Sequence, residues 1–278
     1  MLVTRIAPTP SGYLHPGNAV NALLTAWLAR SERDGRLLLR IDDFDAGRVR
    51  PEYLADVFDT LEWLGIVADA GPRDQDDFHA HWSMAGRREE FRAARDGLIA
   101  EHPDQVFVCR CSRRTLGADG RCVAGCRQRG EPLIPEQTAV RLAVADDTYV
   151  TLGGPDGQHL RVAVPPGDHV LWRRDDLPAY QLGSVVADEA LGVTAIVRGA
   201  DLLASSALQL HLAALLPAPR FAAADLRHHA LLTGPDGSKL SKSAGAQAHP
   251  MPRTDRQRGR ILRWAAELGT PIRVAPPG

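Results

Sequence analysis

Leu2-Val3-Thr4-Arg5-Ile6-Ala7-Pro8-Thr9-Pro10-Ser11-Gly12-Tyr13-Leu14-His15-Pro16-Gly17-Asn18 opens the chain as a short apolar run, a turn and the start of a helix. Two prolines and Gly12 forbid regular pairing across 7–12, so the strand ends at Ile6. Beyond Gly17, residues Val20, Leu23, Leu24, Trp27 and Leu28 recur at helical spacing and predict one apolar face. Gly35 ends that helix, and Leu37-Leu38-Leu39-Arg40-Ile41 reads as a buried strand. Strand, helix and strand form a βαβ unit, which predicts a parallel sheet with a right-handed crossover. Ligands of such sheets bind beyond the C-terminal strand ends, where the His15-Pro16-Gly17-Asn18 turn must lie. Backbone N–H groups and the helix dipole suit a phosphate there. His15 can donate to a phosphate oxygen, and Gly17 lets a nucleotide approach without a Cβ in the way.

Leu54, Val57, Phe58 and Leu61 predict the next helix, and a charged helix covers 83–101. Residues 103–168 lose helical periodicity and collect cysteines, glycines and prolines, as an inserted subdomain does. Alternating strands and helices resume at Val170-Leu171-Trp172-Arg173, with a helix over 179–191, a strand over 194–197 and a helix over 202–216. The expected organisation is a Rossmann-like α/β catalytic domain in two halves, 1–102 and 169–245, interrupted by 103–168. A short helical extension, 246–278, follows. Its helix sets Ile261, Ala265 and Leu268 against Arg256, Arg260 and Arg263, which on a terminal helix read first as a solvated face. Trp63, Trp82, Trp172 and Trp264 are assigned to packing, and His79 and His81 to the surface. His228 and His229 are left to an ATP contact or to packing.

Cys109-Arg110-Cys111 and Cys122-Val123-Ala124-Gly125-Cys126 form two close pairs ten residues apart. Four thiolates so placed can close a tetrahedral zinc site, and four buried free thiols are the alternative. With 278 residues, four cysteines are not a disulfide framework. The start of the chain lacks the apolar stretch of a secretory signal, and no apolar run reaches membrane-spanning length. We therefore expect a cytoplasmic protein with no membrane contact. A net charge of −1 excludes a non-specific polyanion binder, although a local basic face is compatible with it. Lys239 and Lys242 are the only lysines among 33 basic residues, both within Lys239-Leu240-Ser241-Lys242-Ser243. A chain that spends arginine on generic charge has kept lysine where a compact ammonium can act on phosphate as a point charge.

Taken in order, these segments resemble the glutamyl-tRNA synthetase family of class I aminoacyl-tRNA synthetases. Arg5 to Asn18 is similar to its first signature, His-x-Gly-[His/Asn], and Lys239 to Ser243 to its second. Leu39-Arg40-Ile41-Asp42-Asp43-Phe44-Asp45, Leu61-Glu62-Trp63-Leu64-Gly65, Leu177-Pro178-Ala179-Tyr180 and Ile196-Val197-Arg198-Gly199-Ala200-Asp201 match between them. The resemblance implies ATP, with Mg2+, held by His15, Gly17, Asn18, Lys239, Ser241 and Lys242, of which His15, Lys239 and Lys242 are catalytic. It implies glutamate held by Arg5, Ala7, Thr9, Asp42, Tyr180 and Arg198. Position 42 departs from the family, which usually carries glutamate there. Aspartate withdraws the carboxylate by one methylene and puts the contact to the amino acid's ammonium in question.

About 35 residues follow Ser243, which leaves no room for the helical anticodon-binding region of a full-length enzyme. That architecture, and Arg198-Gly199-Ala200-Asp201 in place of the common Gly-Glu-Asp, resembles the glutamyl-queuosine tRNA(Asp) synthetase branch. The branch carries a similar cysteine site, which implies structural zinc on Cys109, Cys111, Cys122 and Cys126. The expected partners are glutamate and tRNA(Asp) bearing queuosine, and the expected state is a monomer. Three other readings stay open on the residues alone. They are an adenylate-forming ligase acting on a small molecule or carrier protein, a non-catalytic zinc-containing RNA-binding paralogue, and a nucleotidyltransferase.

Overall fold

The computed structural model of the chain describes residues 1–44, 47–153, 159–232 and 249–269. In chain order the first elements are β1 (Val3–Ile6), α1 (Pro16–Ser31), β2 (Arg36–Leu39), α2 (Pro51–Leu64), the single turn α3 (Gln75–Asp77) and α4 (Arg88–Glu101). Then come β3 (Val106–Cys109), α5 (Cys126–Arg129), β4 (Ala139–Val144), β5 (Tyr149–Gly153), β6 (His159–Ala163) and β7 (Gly167–Trp172). The chain continues through α6 (Tyr180–Ala190), β8 (Ala195–Gly199), α7 (Leu203–Ala213), α8 (Pro219–Ala222), β9 (Asp225–His229) and α9 (Asp255–Leu268). Two compact units result: Met1–Gly86 with Val193–Leu203 and Ala224–Gly278, and Arg87–Gly192 with Ala204–Ala223.

In the first unit β1 pairs parallel with β2, Val3 opposite Arg36 through Ile6 opposite Leu39. β8 pairs parallel with β9, Arg198 opposite His228. Thr194 joins the two pairs: its N–H donates to the Val3 carbonyl at 2.8 Å, and Val3 N–H donates to Thr194 Oγ1 at 2.9 Å. Beyond β2 the layer extends through Leu39 N–H to the Ala70 carbonyl, 2.9 Å, and Asp69 N–H to the Leu37 carbonyl, 2.7 Å. Asp69 secures that edge by accepting from Leu37 N–H and from both ends of the Arg30 guanidinium. Arg30, followed by the Leu37 N–H, holds the Asp69 carboxyl below its ordinary range.

The helix α1 begins at Pro16, whose missing N–H costs nothing at a first helical position. Its predicted stripe is too narrow. Val20, Leu23, Leu24 and Leu28 are buried with Leu64, Ala195, Val197, Ile261 and Ala265. Ala22 and Ala29 are buried as well, against Ile6, Leu37 and Leu39. Trp27, expected on the apolar face, is 40% exposed. A helix packed on two sides admits alanines where they meet the strands, and a large ring inside a leucine pattern is left at the rim.

The second unit contains the antiparallel order β3-β4-β7 and the separate hairpin β5–β6. Phe91 and Leu98 of α4 are fully buried, and Trp172 closes β7. The Trp172 ring lies under the Arg95 guanidinium at 4.5 Å, and its indole N–H donates to Asp176 at 3.1 Å. No described helix is long and apolar enough to cross a membrane.

Gly71 has φ +120°, and a Cβ there would lie 2.2 Å from the Leu39 carbonyl oxygen, on the edge beyond β2. Gly71→Ala should destabilise by about 1–3 kcal/mol and lower the melting temperature by several degrees in thermal circular dichroism. Gly86→Ala, which meets nothing within 4 Å, is the control. Equal melting of the two variants would refute the close approach.

Candidate active site and metal centre

His15 is the N-cap of α1. Its Nδ1 accepts from Gly17 N–H at 3.0 Å and Asn18 N–H at 3.4 Å, while the backbone N–H of His15 donates to Asn18 Oδ1 at 3.0 Å. The backbone donors predicted to face a phosphate are thus spent on the imidazole. The reason lies in the next residue but one: a Cβ at Gly17 would meet His15 Cε1 at 2.9 Å, so only glycine lets the ring fold over the helix end. With Nδ1 accepting, the neutral ring carries its proton on Nε2, as a donor. Ile6, Ala7, Pro8, Asn18 and Asn21 help line a recess of about 70 Å³ beside this turn.

The preceding turn is fixed from α2. Leu14 N–H donates to Asp56 Oδ2 at 2.7 Å, and Arg253 pairs with Asp56 Oδ1 at 2.5 Å. Asp56 is 2% exposed, and burial pushes its carboxyl above the ordinary range against the pull of the Leu14 N–H and Arg253. Sequence reasoning passed over Asp56; a charged residue beside Val57 in an apolar helix pattern was the available signal.

Four of the six residues expected at the amino acid lie on or just after β1 and β8. Arg5 and Arg198 are buried in these strands, 5% and 4% exposed. Ala7 is half-buried after β1, and Thr9 is exposed. Asp42 follows β2 and is buried at 3% exposure. Its two oxygens accept from one guanidinium: Arg40 Nε to Oδ1 at 2.7 Å and Arg40 Nη2 to Oδ2 at 2.9 Å. Residues two apart on an extended segment share a face, so Arg40-Ile41-Asp42 carried that pairing as a legible signal. The sixth, Tyr180, starts α6 in the second unit and is 40% exposed. Lys239, Ser241 and Lys242 lie outside the described residues.

His228 and His229 of β9 are both buried. Burial, then the positive charge of Arg198, pushes His228 down to about 4. His229 is lowered too, by burial. Its Nδ1 donates to the Ala230 carbonyl at 2.8 Å, and its Nε2 lies 3.2 Å from the Asn21 side-chain amide.

In the second unit the four cysteine sulfurs lie within 4.8 Å of one another. Cys111 Sγ is 3.5 Å from Cys122 Sγ and 3.8 Å from Cys126 Sγ. Zinc–thiolate bonds of about 2.3 Å in a tetrahedron put the sulfurs about 3.8 Å apart, so the cluster fits a metal of that kind. Cys109 ends β3, and the αL residue Gly125 turns the chain so that Cys126 can start α5. Burial pushes the Cys109 thiol up to about 12. Burial also raises Cys122, but donors from Cys126 and Cys111 outweigh it and hold that thiol at about 7. Outside the ligand set, Asp168 accepts from Cys122 N–H at 2.6 Å, and Arg129 reaches Cys126 Sγ at 3.4 Å.

One unit thus holds a nucleotide-type βαβ core with a capped helix end after its first strand, and the other a cluster of four cysteines. Residues 1–101 and 127–273 match the model for tRNA synthetases class I (E and Q), catalytic domain. All four cysteines fall in the unmatched 102–126. The glutamyl-Q tRNA(Asp) synthetase of Symbiobacterium thermophilum is 38% identical over 265 residues, 88% of this chain and 79% of that protein. Its counterpart from Pseudomonas syringae pv. syringae is 37% identical, over 97% of this chain and 85% of that protein. The glutamate-tRNA synthetase structure of Elizabethkingia anophelis shares the fold at a TM-score of 0.67 and 24% identity, covering 88% of this chain. The chain spans about half, 53%, of that structure. Methionyl-tRNA synthetase of Mycobacterium tuberculosis shares it more distantly, TM-score 0.52 at 16% identity. The chain belongs to the class I tRNA synthetases, in the glutamyl-Q tRNA(Asp) synthetase family. Class I synthetases are ligases that use ATP.

His228 makes the fold sensitive to acid. Between its ordinary value near 6.5 and about 4, the unfolded chain binds a proton that the folded chain refuses. Stability present at pH 7 is therefore lost as pH falls through 6.5 toward 4. Urea denaturation at pH 7 and pH 5 should show wild type losing about 2 kcal/mol more than His228→Gln. Equal losses would show that His228 is not the group responsible.

Proposed function

We propose that this protein activates glutamate with ATP as glutamyl-adenylate and transfers the glutamyl group to queuosine at the wobble position of tRNA(Asp). The observation that carries the reading is the identity of 37–38% to glutamyl-Q tRNA(Asp) synthetases over most of both chains. The disposition of β1, β8 and the α1 cap supports it, because these strands and that turn carry the residues the chemistry needs.

In the first step a carboxylate oxygen of glutamate attacks the α-phosphorus of ATP, the bond to the bridging oxygen breaks, and pyrophosphate leaves. Negative charge grows on the triphosphate, so cations and N–H donors already in place lower the barrier. His15 presents Nε2–H at the helix end, with Gly17 and Asn18 shaping the same turn, and Lys239, Ser241 and Lys242 take the leaving phosphates with Mg2+. Arg5 and Arg198 bind the carboxylates of glutamate, Ala7 and Thr9 border it, and Tyr180 hydrogen-bonds it. Asp42 receives the α-ammonium. Arg40 donates to both carboxylate oxygens of Asp42. The fork from Arg40 fixes the orientation of the shorter side chain. In the second step a nucleophile on the modified base attacks the acyl carbon and AMP leaves.

The segment 103–168 is assigned as an inserted subdomain that meets the RNA and holds zinc on Cys109, Cys111, Cys122 and Cys126. Four thiolates leave no open position on the metal, so its role is structural. We place the protein in the cytoplasm, as a monomer.

ATP–pyrophosphate exchange measured across all amino acids should respond to glutamate alone, without tRNA. Asparagine caps helices well but offers no donor at the Nε2 position. His15→Asn should therefore keep the melting temperature and slow exchange by about 10²–10³-fold, as should Lys242→Ala. Near-wild-type exchange in His15→Asn would reduce that residue to a cap. Charging of queuosine-bearing tRNA(Asp), with unmodified tRNA(Asp) inert, is the expected acceptor result; equal charging of both would overturn the acceptor.

Purified protein should carry about one zinc per chain, as four ligands imply. Cys109→Ser should lose it and melt earlier. A metal-free wild-type protein with unchanged melting would remove zinc from the fold.

A further inference from the structure

Five arginines and two carboxylates lie between Arg253 and Leu268, in a chain whose net charge is −1. Arg253 is engaged by Asp56 and Asp59. The four on α9 differ from many of the arginines elsewhere in the molecule. Arg30, Arg40, Arg73, Arg87, Arg92 and Arg121 each hold a carboxylate at 3.3 Å or less. Arg256, Arg258, Arg260 and Arg263 are all exposed, and none forms an ion pair among the described residues.

Their arrangement is directional. At 3.6 residues per turn, Arg256, Arg260 and Arg263 fall within about 60° of arc, opposite the buried Ile261 and Ala265. Arg258 lies off this face, near Gly65. Successive heads rise about 4–6 Å along the axis, a spacing that adjacent phosphates of one strand can meet. Arg260 is stacked over the half-buried Trp264 ring at 4.6 Å. Stacking fixes the guanidinium plane and turns its N–H edge outward, which prepares it for a phosphate oxygen. Because Ile261 and Ala265 are packed with α1 residues, the apolar side of α9 is not available to enter a lipid surface.

We infer that the outward face of α9, through Arg256, Arg260 and Arg263, binds the phosphate backbone of the substrate RNA. The inference rests on the reading that the acyl acceptor is a tRNA. The contact is to phosphate, so it gives affinity and orientation and leaves the choice of base to the active site.

The test is a salt titration of the affinity for queuosine-bearing tRNA(Asp), comparing wild type with Arg256→Gln/Arg260→Gln/Arg263→Gln. Each phosphate contact removed should lower the slope of log K against log salt by about 1, so the triple variant should lose about 3. It should bind at least tenfold more weakly at moderate salt, and a triple lysine variant should keep most of the slope. Glutamate-dependent ATP–pyrophosphate exchange without RNA should be unchanged in both, which controls for folding. An unchanged slope and affinity in the triple glutamine variant overturns the surface. So does wild-type binding to vesicles of phosphatidylserine and phosphatidylcholine that the triple variant loses while RNA binding stays intact. Failure of the tRNA reading shows differently: wild type would catalyse exchange and transfer no glutamate to any tRNA.

Discussion

Asp56 joins three distant parts of the chain with one carboxylate. Oδ2 takes the Leu14 N–H, which directly precedes the helix cap His15, and Oδ1 takes Arg253, which precedes α9. An isolated buried carboxylate is costly, and burial pushes Asp56 toward the neutral acid. The two partners pull against that push, and the leucine and valine packing of α2 keeps the carboxylate where it is. Removing any one of the three leaves a buried group unsatisfied, which costs more than the lost bond itself. The position of the His15 ring relative to β1 is therefore set by a residue some forty positions away, not by the turn alone.

Charge in the strands follows the same rule of paired burial. The Arg40–Asp42 fork is almost fully enclosed, with side chains 2% and 4% exposed. Arg5 and Arg198 are buried in β1 and β8, and His228 beside Arg198 stays neutral because a second positive charge in that place would be repelled as well as desolvated. A buried pair contributes little net stability compared with packed leucine, so its retention points to orientation of groups more than to strength.

Periodicity and punctuation made most of the fold legible. Pro8, Pro10 and Gly12 ended β1, Pro16 started α1, and the leucine run of β2 paired parallel to it. What escaped was set by a partner distant in sequence or by the direction in which a nearby side chain turns. Trp27 sat in a helical pattern, yet exposure depends on which side the strands approach, and Ala22 and Ala29 decided that. The amides of Gly17 and Asn18 looked like phosphate donors, and only side-chain geometry revealed that His15 Nδ1 takes them. The four cysteines were legible from spacing alone, since their ligand atoms come from two short neighbouring segments. Arg40 and Asp42 lay two apart in plain view, but an i, i+2 pair announces itself only once the segment is known to be extended.

The cysteine cluster obeys a local logic that explains how it can sit in a stretch outside the family match. Cys109 and Cys111 leave the end of β3, Cys122 and Cys126 return through a glycine turn, and Asp168 of β7 holds the Cys122 N–H. β3, β4 and β7 pair without any of the 110–138 segment, so that loop can vary while the sheet stands. A metal held by the four sulfurs would supply free energy toward ordering such a loop. The thiols show why binding and ordering are coupled. Burial holds the Cys109 proton to about 12, while Cys122 gives up its own near 7. A cation that takes all four sulfurs would therefore have to displace a tightly held proton from Cys109 while it holds the loop's three cysteines beside the strand end.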